Sequence, residues 1–180
     1  MKVFLFLADG FEEIEAIAPI DILRRAEIEV VTVSISDTKL VRGAHNIFVQ
    51  ADGLFSETDF SEDSLLVLPG GMPGTNNLDA HEGLKNLLKT QADKLNPIAA
   101  ICAAPSILGK MGLLDGKEAI CFPGFEDQLI GAVVSKNKVV KSGLITTAKA
   151  AGVAIQFALQ LVEDLKGKEI AEKIAKSIEL

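Results

Sequence analysis

Ala99-Ala100-Ile101-Cys102-Ala103-Ala104-Pro105 is a strand that becomes a helix within two residues. Residues 97–101 form a short apolar run, and Pro105 suits the first turn of a helix, where its missing N–H costs nothing. A strand–helix elbow of this kind exposes one side chain at the top of a sheet, in a tight turn that needs small neighbours. Ala103 and Ala104 supply them, and Cys102 is the side chain presented.

The same alternation runs outward in both directions. Residues 2–7, 28–34 and 64–68 read as buried strands, with shorter ones at 118–121, 138–141 and 144–147. Helical patterns occupy residues 11–26, 80–93, 103–110, 148–165 and 167–178, and in the last of these Ile170, Ile174 and Ile178 share one face. Pro19 falls inside the first helix, where a kink or an irregular turn is expected. Strand–helix alternation with apolar runs at Val3–Leu7 and Leu65–Leu68 predicts an α/β fold, its mostly parallel sheet covered on both faces. Residues 1–180 hold no repeat, low-complexity stretch or linker, and that length suits one domain.

Bulk properties exclude several function classes. A net charge of −7 with no basic run repels phosphate backbones and anionic lipid, so neither nucleic acid nor a membrane surface is an expected partner. With no Trp or Tyr, base stacking would rest on nine Phe, most of them in apolar stretches. Two cysteines are too few for a disulfide framework and fit a reducing compartment. The apolar start Met1–Ala8 is cut off by Asp9 and Gly10, too short for a signal peptide, and no run is long enough to span a bilayer. The expected location is cytoplasmic.

In open α/β sheets, ligands bind beyond the carboxyl ends of the strands, where the connection order reverses. Three strand ends therefore matter: Ala8-Asp9-Gly10, Pro69-Gly70-Gly71, and Cys102. A thiol at a helix N-terminus gains from the positive end of the helix dipole, which favours the thiolate. The plainer reading is an inert buried cysteine packed like a small hydrophobe, and the local sequence leaves both open. Gly70 and Gly71 allow close backbone approach, and the Gly71 N–H with that of Ala103 could form an oxyanion hole. Alone, Pro-Gly-Gly is more often an ordinary turn.

Phe11-Glu12-Glu13-Ile14-Glu15 opens the first helix beside the first strand end. Acidic residues there suit the helix dipole as a solvated helix start. Glu15 lies four residues after Phe11 and can turn inward, where burial would raise its pKa and make it a proton carrier. His45 reads as part of a hairpin loop, and His81 as an exposed residue at a helix start. The Cys/His spacings match no zinc pattern, so no metal is expected.

Five segments accompany the elbow Ala100–Pro105: Leu7–Glu15, Leu68–Gly71, Asp115–Pro123, Ser142–Thr147 and Phe157–Gly167. Together they resemble the ThiJ/PfpI superfamily, and within it the branch of the Parkinson-disease-associated protein deglycase, in the same order over nearly the whole chain. The resemblance implies a flavodoxin-like three-layer sandwich that is usually a homodimer, with a nucleophilic cysteine at the elbow (Cys102) and a first-helix glutamate (Glu15) hydrogen-bonded to it. It implies conversion of methylglyoxal and glyoxal to hydroxy acids without a cofactor, or deglycation of early adducts. Oxidation sensing through Cys102 and a chaperone-like role are the implied alternatives.

Two departures bear on mechanism. The protease-like branch has His directly after the cysteine, whereas Ala103 stands here, which argues against peptidase activity. The deglycase branch often has a His before a Pro near the site, where this chain reads Cys121-Phe122-Pro123, so Phe122 should make the pocket more apolar, and the expectation is either weak turnover or proton transfer through Glu15 alone. Amidotransferase relatives need a downstream His, and none follows residue 81. A non-catalytic dimer that uses the fold for partner binding predicts an inert Cys102.

Overall fold

The computed structural model describes residues 1–60 and 62–180. Its strands are β1 (Lys2–Leu7), β2 (Val30–Ser34), β3 (Leu40–Arg42), β4 (Phe48–Gln50), β5 (Gly53–Leu54), β6 (Ser64–Leu68), β7 (Ile98–Ile101), β8 (Glu118–Ala119), β9 (Val133–Val134), β10 (Val139–Ser142) and β11 (Ile145–Ala148). Its helices are α1 (Glu13–Arg25), α2 (Gly74–Ala80), α3 (Glu82–Asp93), α4 (Pro105–Lys110), α5 (Ala154–Lys166) and α6 (Lys168–Ser177).

A seven-stranded sheet runs in the order β10-β11-β7-β6-β1-β2-β5, parallel throughout except for the β10–β11 pair. The buried runs take the central places, because a strand covered on both faces must be apolar on both. Every residue of β6 and β7 is buried, and β1 alternates Val3, Leu5 and Leu7 against Phe4 and Phe6. The first set packs with Ala16, Leu23, Phe157 and Leu161 of α1 and α5; the second packs with Leu84, Leu88, Ile107 and Leu108 of α3 and α4. These are the three expected layers. Ile174 of α6 joins the first core, with Ile170 and Ile178 packed against it.

The chain leaves β1 for β2 on one side, then returns to β6 on the other. That reversal opens a crevice above the carboxyl ends of β1 and β6, next to the end of β7. It sets the three expected strand ends side by side.

Several local expectations are corrected. The helix α1 runs through Pro19 as one element, with Pro19 buried among Ala16, Ile20 and Leu23, so no irregular turn forms there. The proline φ is itself helical, and packing holds the turn that loses a hydrogen bond. An additional helix, α2, precedes α3. His81 is half-buried rather than exposed: it caps α3 by accepting the Leu84 N–H at 2.9 Å, and it stands edge-on to Phe55. Only Glu118–Ala119 of the expected strand 118–121 is in a ladder, and its partner is β9 outside the main sheet. Among the described residues no helix is long and apolar enough to cross a membrane.

Candidate active site

Cys102 follows β7 with a φ of 65°, a left-handed conformation uncommon for a residue with a Cβ. Two backbone bonds hold it there. Its N–H donates to the Ala148 carbonyl at the end of β11 (2.9 Å), and its own carbonyl accepts the Phe122 N–H (2.7 Å). Ala103 and Ala104 are buried directly behind the elbow, and Pro105 opens α4. Cys102 is half-buried, and its side chain packs with the α1/α5 core.

Glu15, in the first turn of α1, is 1% exposed. Its Oε2 accepts the Gly70 N–H at 2.9 Å, while Oε1 is buried without a hydrogen bond of good geometry. The Cys102 thiol and the Ala151 N–H are nonetheless close enough to act on the carboxyl. Gly70 lies between acid and thiol: a β-carbon there would come within 2.6 Å of Glu15 Oε2 and 2.7 Å of Cys102 Cβ, so only glycine fits. Its carbonyl accepts the Glu12 N–H at 2.9 Å, which ties the loop after β6 to the start of α1 from both sides. Gly71 has a φ of +92° and backbone packed against Gly10–Glu12 where a side chain would be.

The electrostatics reverse one expectation. Burial first, and then the charge of Glu15, push the Cys102 thiol up to about 12, although the Ala103 and Gly71 N–H groups pull it down. With only six residues, α4 contributes too little dipole to win. Burial likewise pushes Glu15 up to about 7. Near neutrality it is therefore Glu15 that changes charge while the Cys102 thiol keeps its proton, and the repulsion on the sulfur lasts only while Glu15 is ionised. Cys121 is fully buried, packs with the other core, and its thiol is pushed up to about 11, mainly by burial.

Of the candidate residues, Cys102, Glu15, Gly70, Gly71 and Ala103 converge on one point. Phe122 touches the elbow through its backbone, and its side chain is 44% exposed. The sequence reading passed over the role of His45. It sits in the β3–β4 loop, where its N–H (2.7 Å) and Nδ1 (2.8 Å) meet the buried Glu13 carboxylate, with Nδ1 3.6 Å from Glu12 Oε2. Ligand-type atoms of Glu12, Glu13 and His45 lie within 4.8 Å of one another, but the Glu13 oxygens are already engaged by His45 and the Ile47 N–H. No sequence spacing signals this contact, since 32 residues separate His45 from Glu13.

Similar arrangements of chain exist in known proteins. Toxoplasma gondii DJ-1, solved in an oxidised state, superposes with a TM-score of 0.92 and 41% identity, covering 98% of this chain and 97% of that one. A glutathione-independent glyoxalase of Caenorhabditis elegans is 31% identical over 98% of this chain and 94% of its own length. A deglycase of Pyrococcus abyssi is 30% identical over 92% of this chain and its entire length. The chain spans only 40% of Arabidopsis thaliana DJ-1 homolog B, to which it is 34% identical. With residues 1–164 also matching the family as a whole, the fold, the elbow and the full-length likeness agree: the chain belongs to the DJ-1/PfpI family.

Proposed function

We propose that this protein converts small reactive 2-oxoaldehydes such as methylglyoxal to 2-hydroxy acids, or deglycates their early adducts, without glutathione or another cofactor. Cys102 is the nucleophile and Glu15 the proton carrier. The observation that carries this reading is the placement of thiol and buried carboxyl on either side of Gly70, with the Gly71 and Ala103 N–H groups acting on the sulfur. Two relatives named glyoxalase and deglycase lend it support.

The Glu15 carboxylate takes the Cys102 thiol proton as the sulfur adds to the aldehyde carbon, the carbonyl π electrons move onto oxygen, and Glu15 passes that proton to the oxygen, forming a hemithioacetal. The Gly71 and Ala103 N–H groups stabilise the transient oxyanion. Glu15, now a carboxylate, takes the proton from the former aldehyde carbon and delivers it to the adjacent carbonyl carbon, and the hydroxyl proton passes to the second oxygen. One carbon is oxidised to a thioester and its neighbour is reduced to an alcohol, so no outside oxidant is needed. Water then cleaves the thioester, releasing the hydroxy acid and the thiol. Ala103 stands where the peptidase branch has its His, which speaks against peptidase chemistry. Phe122, whose N–H bonds the Cys102 carbonyl, puts a half-exposed apolar residue in the segment that braces the elbow. The test is lactate formation from methylglyoxal without glutathione; no lactate from the wild-type protein would overturn the reading.

We also propose a homodimer formed through α1 and the β3–β4 hairpin. Ile14, Ile17, Ile47 and Phe48 are each 42–56% exposed there, beside a groove of about 520 Å³ lined by Glu13, Ile14, Ile17, Ala18, Asp21 and Ile47. A contiguous apolar face of that kind marks an interface. Sedimentation should give twice the chain mass, and Ile17→Asp should give the monomer; a monomeric wild type would refute it. Two unpaired thiols fit a reducing compartment such as the cytoplasm.

A further inference from the structure

We infer that His45 is a positioning residue for the Glu15 proton: held by Glu13 and adjacent to Glu12, it offsets acidic charge at the start of α1 and so sets the pH at which Glu15 ionises. The inference rests on the reading of Glu15 as proton carrier and adds a residue outside the elbow.

The geometry runs in three steps. Glu12 is the residue preceding α1 and Glu15 lies three positions on, a spacing that makes them neighbours on a helix. They bracket the same residue, since Glu12 donates its N–H to the Gly70 carbonyl and Glu15 accepts the Gly70 N–H, each at 2.9 Å. The charge of Glu12 therefore reaches the buried carboxyl and opposes its ionisation. His45 Nδ1 then lies 3.6 Å from Glu12 Oε2 and 2.8 Å from Glu13 Oε2.

The hairpin is fixed in this position rather than resting on it. The Ala44 N–H donates to the Phe11 carbonyl at 2.8 Å, Phe11 bridges to Gly43, and the His45 and Ile47 N–H groups both reach Glu13 Oε1. A β-carbon at Gly43 would fall 2.3 Å from Glu13 Oε1, so a side chain there would displace the carboxylate from His45.

The charged groups that face His45 are Glu13 and Glu12, both contributed by the start of α1, and they raise its proton affinity, the Glu13 hydrogen bond most. Facing Glu15 are the Cys102 thiol, the Gly70 and Ala151 N–H groups, and the charge of Glu12. Imidazolium at position 45 partly neutralises Glu12 and Glu13, which makes Glu15 easier to ionise. Neutral imidazole restores their repulsion and keeps the proton on Glu15. The proton that sustains thiolate chemistry is thus retained further into the alkaline range than burial alone would hold it.

The experiment follows the rate of Cys102 alkylation by iodoacetamide against pH, read by peptide mass, in 20 mM salt and at a protein concentration where molar mass confirms one oligomeric state. It reports on the Glu15–Cys102 pair whether or not aldehydes turn over. The wild-type profile should show an inflection that Glu15→Gln removes. His45→Gln should raise its midpoint by about 0.4 pH unit and Glu12→Gln should lower it by about as much, the size expected of one water-screened charge a helical turn away. His45→Lys, which restores a positive charge, should bring the midpoint back to or below that of wild type. All three shifts should shrink in 0.5 M salt. A structural role for His45 would change rates without moving the midpoint. An unmoved midpoint in His45→Gln and Glu12→Gln, with the Glu15 inflection intact, overturns this inference alone. An inflection that persists in Glu15→Gln overturns the reading of Glu15 itself.

Discussion

Cys102→Ala is expected to abolish aldehyde turnover, by on the order of 10³-fold or more, as loss of a covalent nucleophile does in other enzymes. The fold should survive, because the backbone bonds at this position do not use the sulfur: the N–H goes to Ala148 and the carbonyl to Phe122 in either variant. Cys102→Gly sharpens the test. At a φ of 65° a Cβ is strained, so glycine should be as stable as alanine or better by about 1 kcal/mol, while being equally inactive. Stability rising as activity vanishes would mark a position kept for chemistry against the preference of the backbone. Cys121→Ala is the control: a buried core thiol, its loss should cost about 1–2 kcal/mol of stability and leave turnover in place. Lactate formed at the wild-type rate by Cys102→Ala would remove the nucleophile, and with it the proposed reaction.

The parts of the fold that could be read in advance are those where local pattern and tertiary role coincide. The continuous apolar runs of β1, β6 and β7 are buried on both faces because they occupy the centre of a parallel sheet, so their composition and their place carry the same message. The opposite holds for α2. Gly74-Thr75-Asn76-Asn77-Leu78-Asp79-Ala80 contains poor helix formers and a single large apolar residue, and its helix is held by tertiary contacts, with Gly74 packed on Gly10 and Phe11 and the Asn77 amide donating to the Asp9 carbonyl in the loop after β1. The segment after β8 failed for a related reason. The Ile120 N–H is taken by the Thr147 hydroxyl and the Phe122 N–H by the Cys102 carbonyl, so its hydrogen bonds brace the elbow instead of extending a ladder. At the candidate site, the convergence of Cys102, Glu15, Gly70 and Gly71 was legible because glycines and small neighbours are what a crowded elbow demands. The ionisation of Cys102 was not, since a short helix dipole is a local feature whereas burial and the Glu15 charge come from 87 positions away in the chain.

Glu15→Gln is expected to lower turnover by about 10²–10³-fold, the share of a positioned proton carrier, and at the same time to change how stability depends on pH. The sign follows from the proton. Unfolded, the Glu15 carboxyl ionises near 4.5; folded, burial holds the proton to about 7. Between these values the native protein binds more protons than the unfolded chain, so stability falls as pH rises through the window. A shift of that size corresponds to about 3 kcal/mol, complete above pH 7 and absent below 4.5. Glutamine can keep an oxygen facing the Gly70 N–H, but it places an amide where Oε1 now has no good partner, a cost of about 1–3 kcal/mol that is the same at every pH. The diagnostic quantity is therefore the difference between the two proteins at pH 8 minus that at pH 4.5, from urea unfolding with equal m-values, and it should favour the variant by about 2–3 kcal/mol. A difference that does not move with pH would mean that Glu15 ionises like a surface carboxyl, and a surface-like carboxyl could not hold a proton for the thiolate at neutral pH. If the difference does move, the instability of the buried acid and its catalytic use have one cause. The desolvation that makes Glu15 costly to ionise is what keeps its proton available beside Cys102, so a variant that gains stability here should lose activity by the same change.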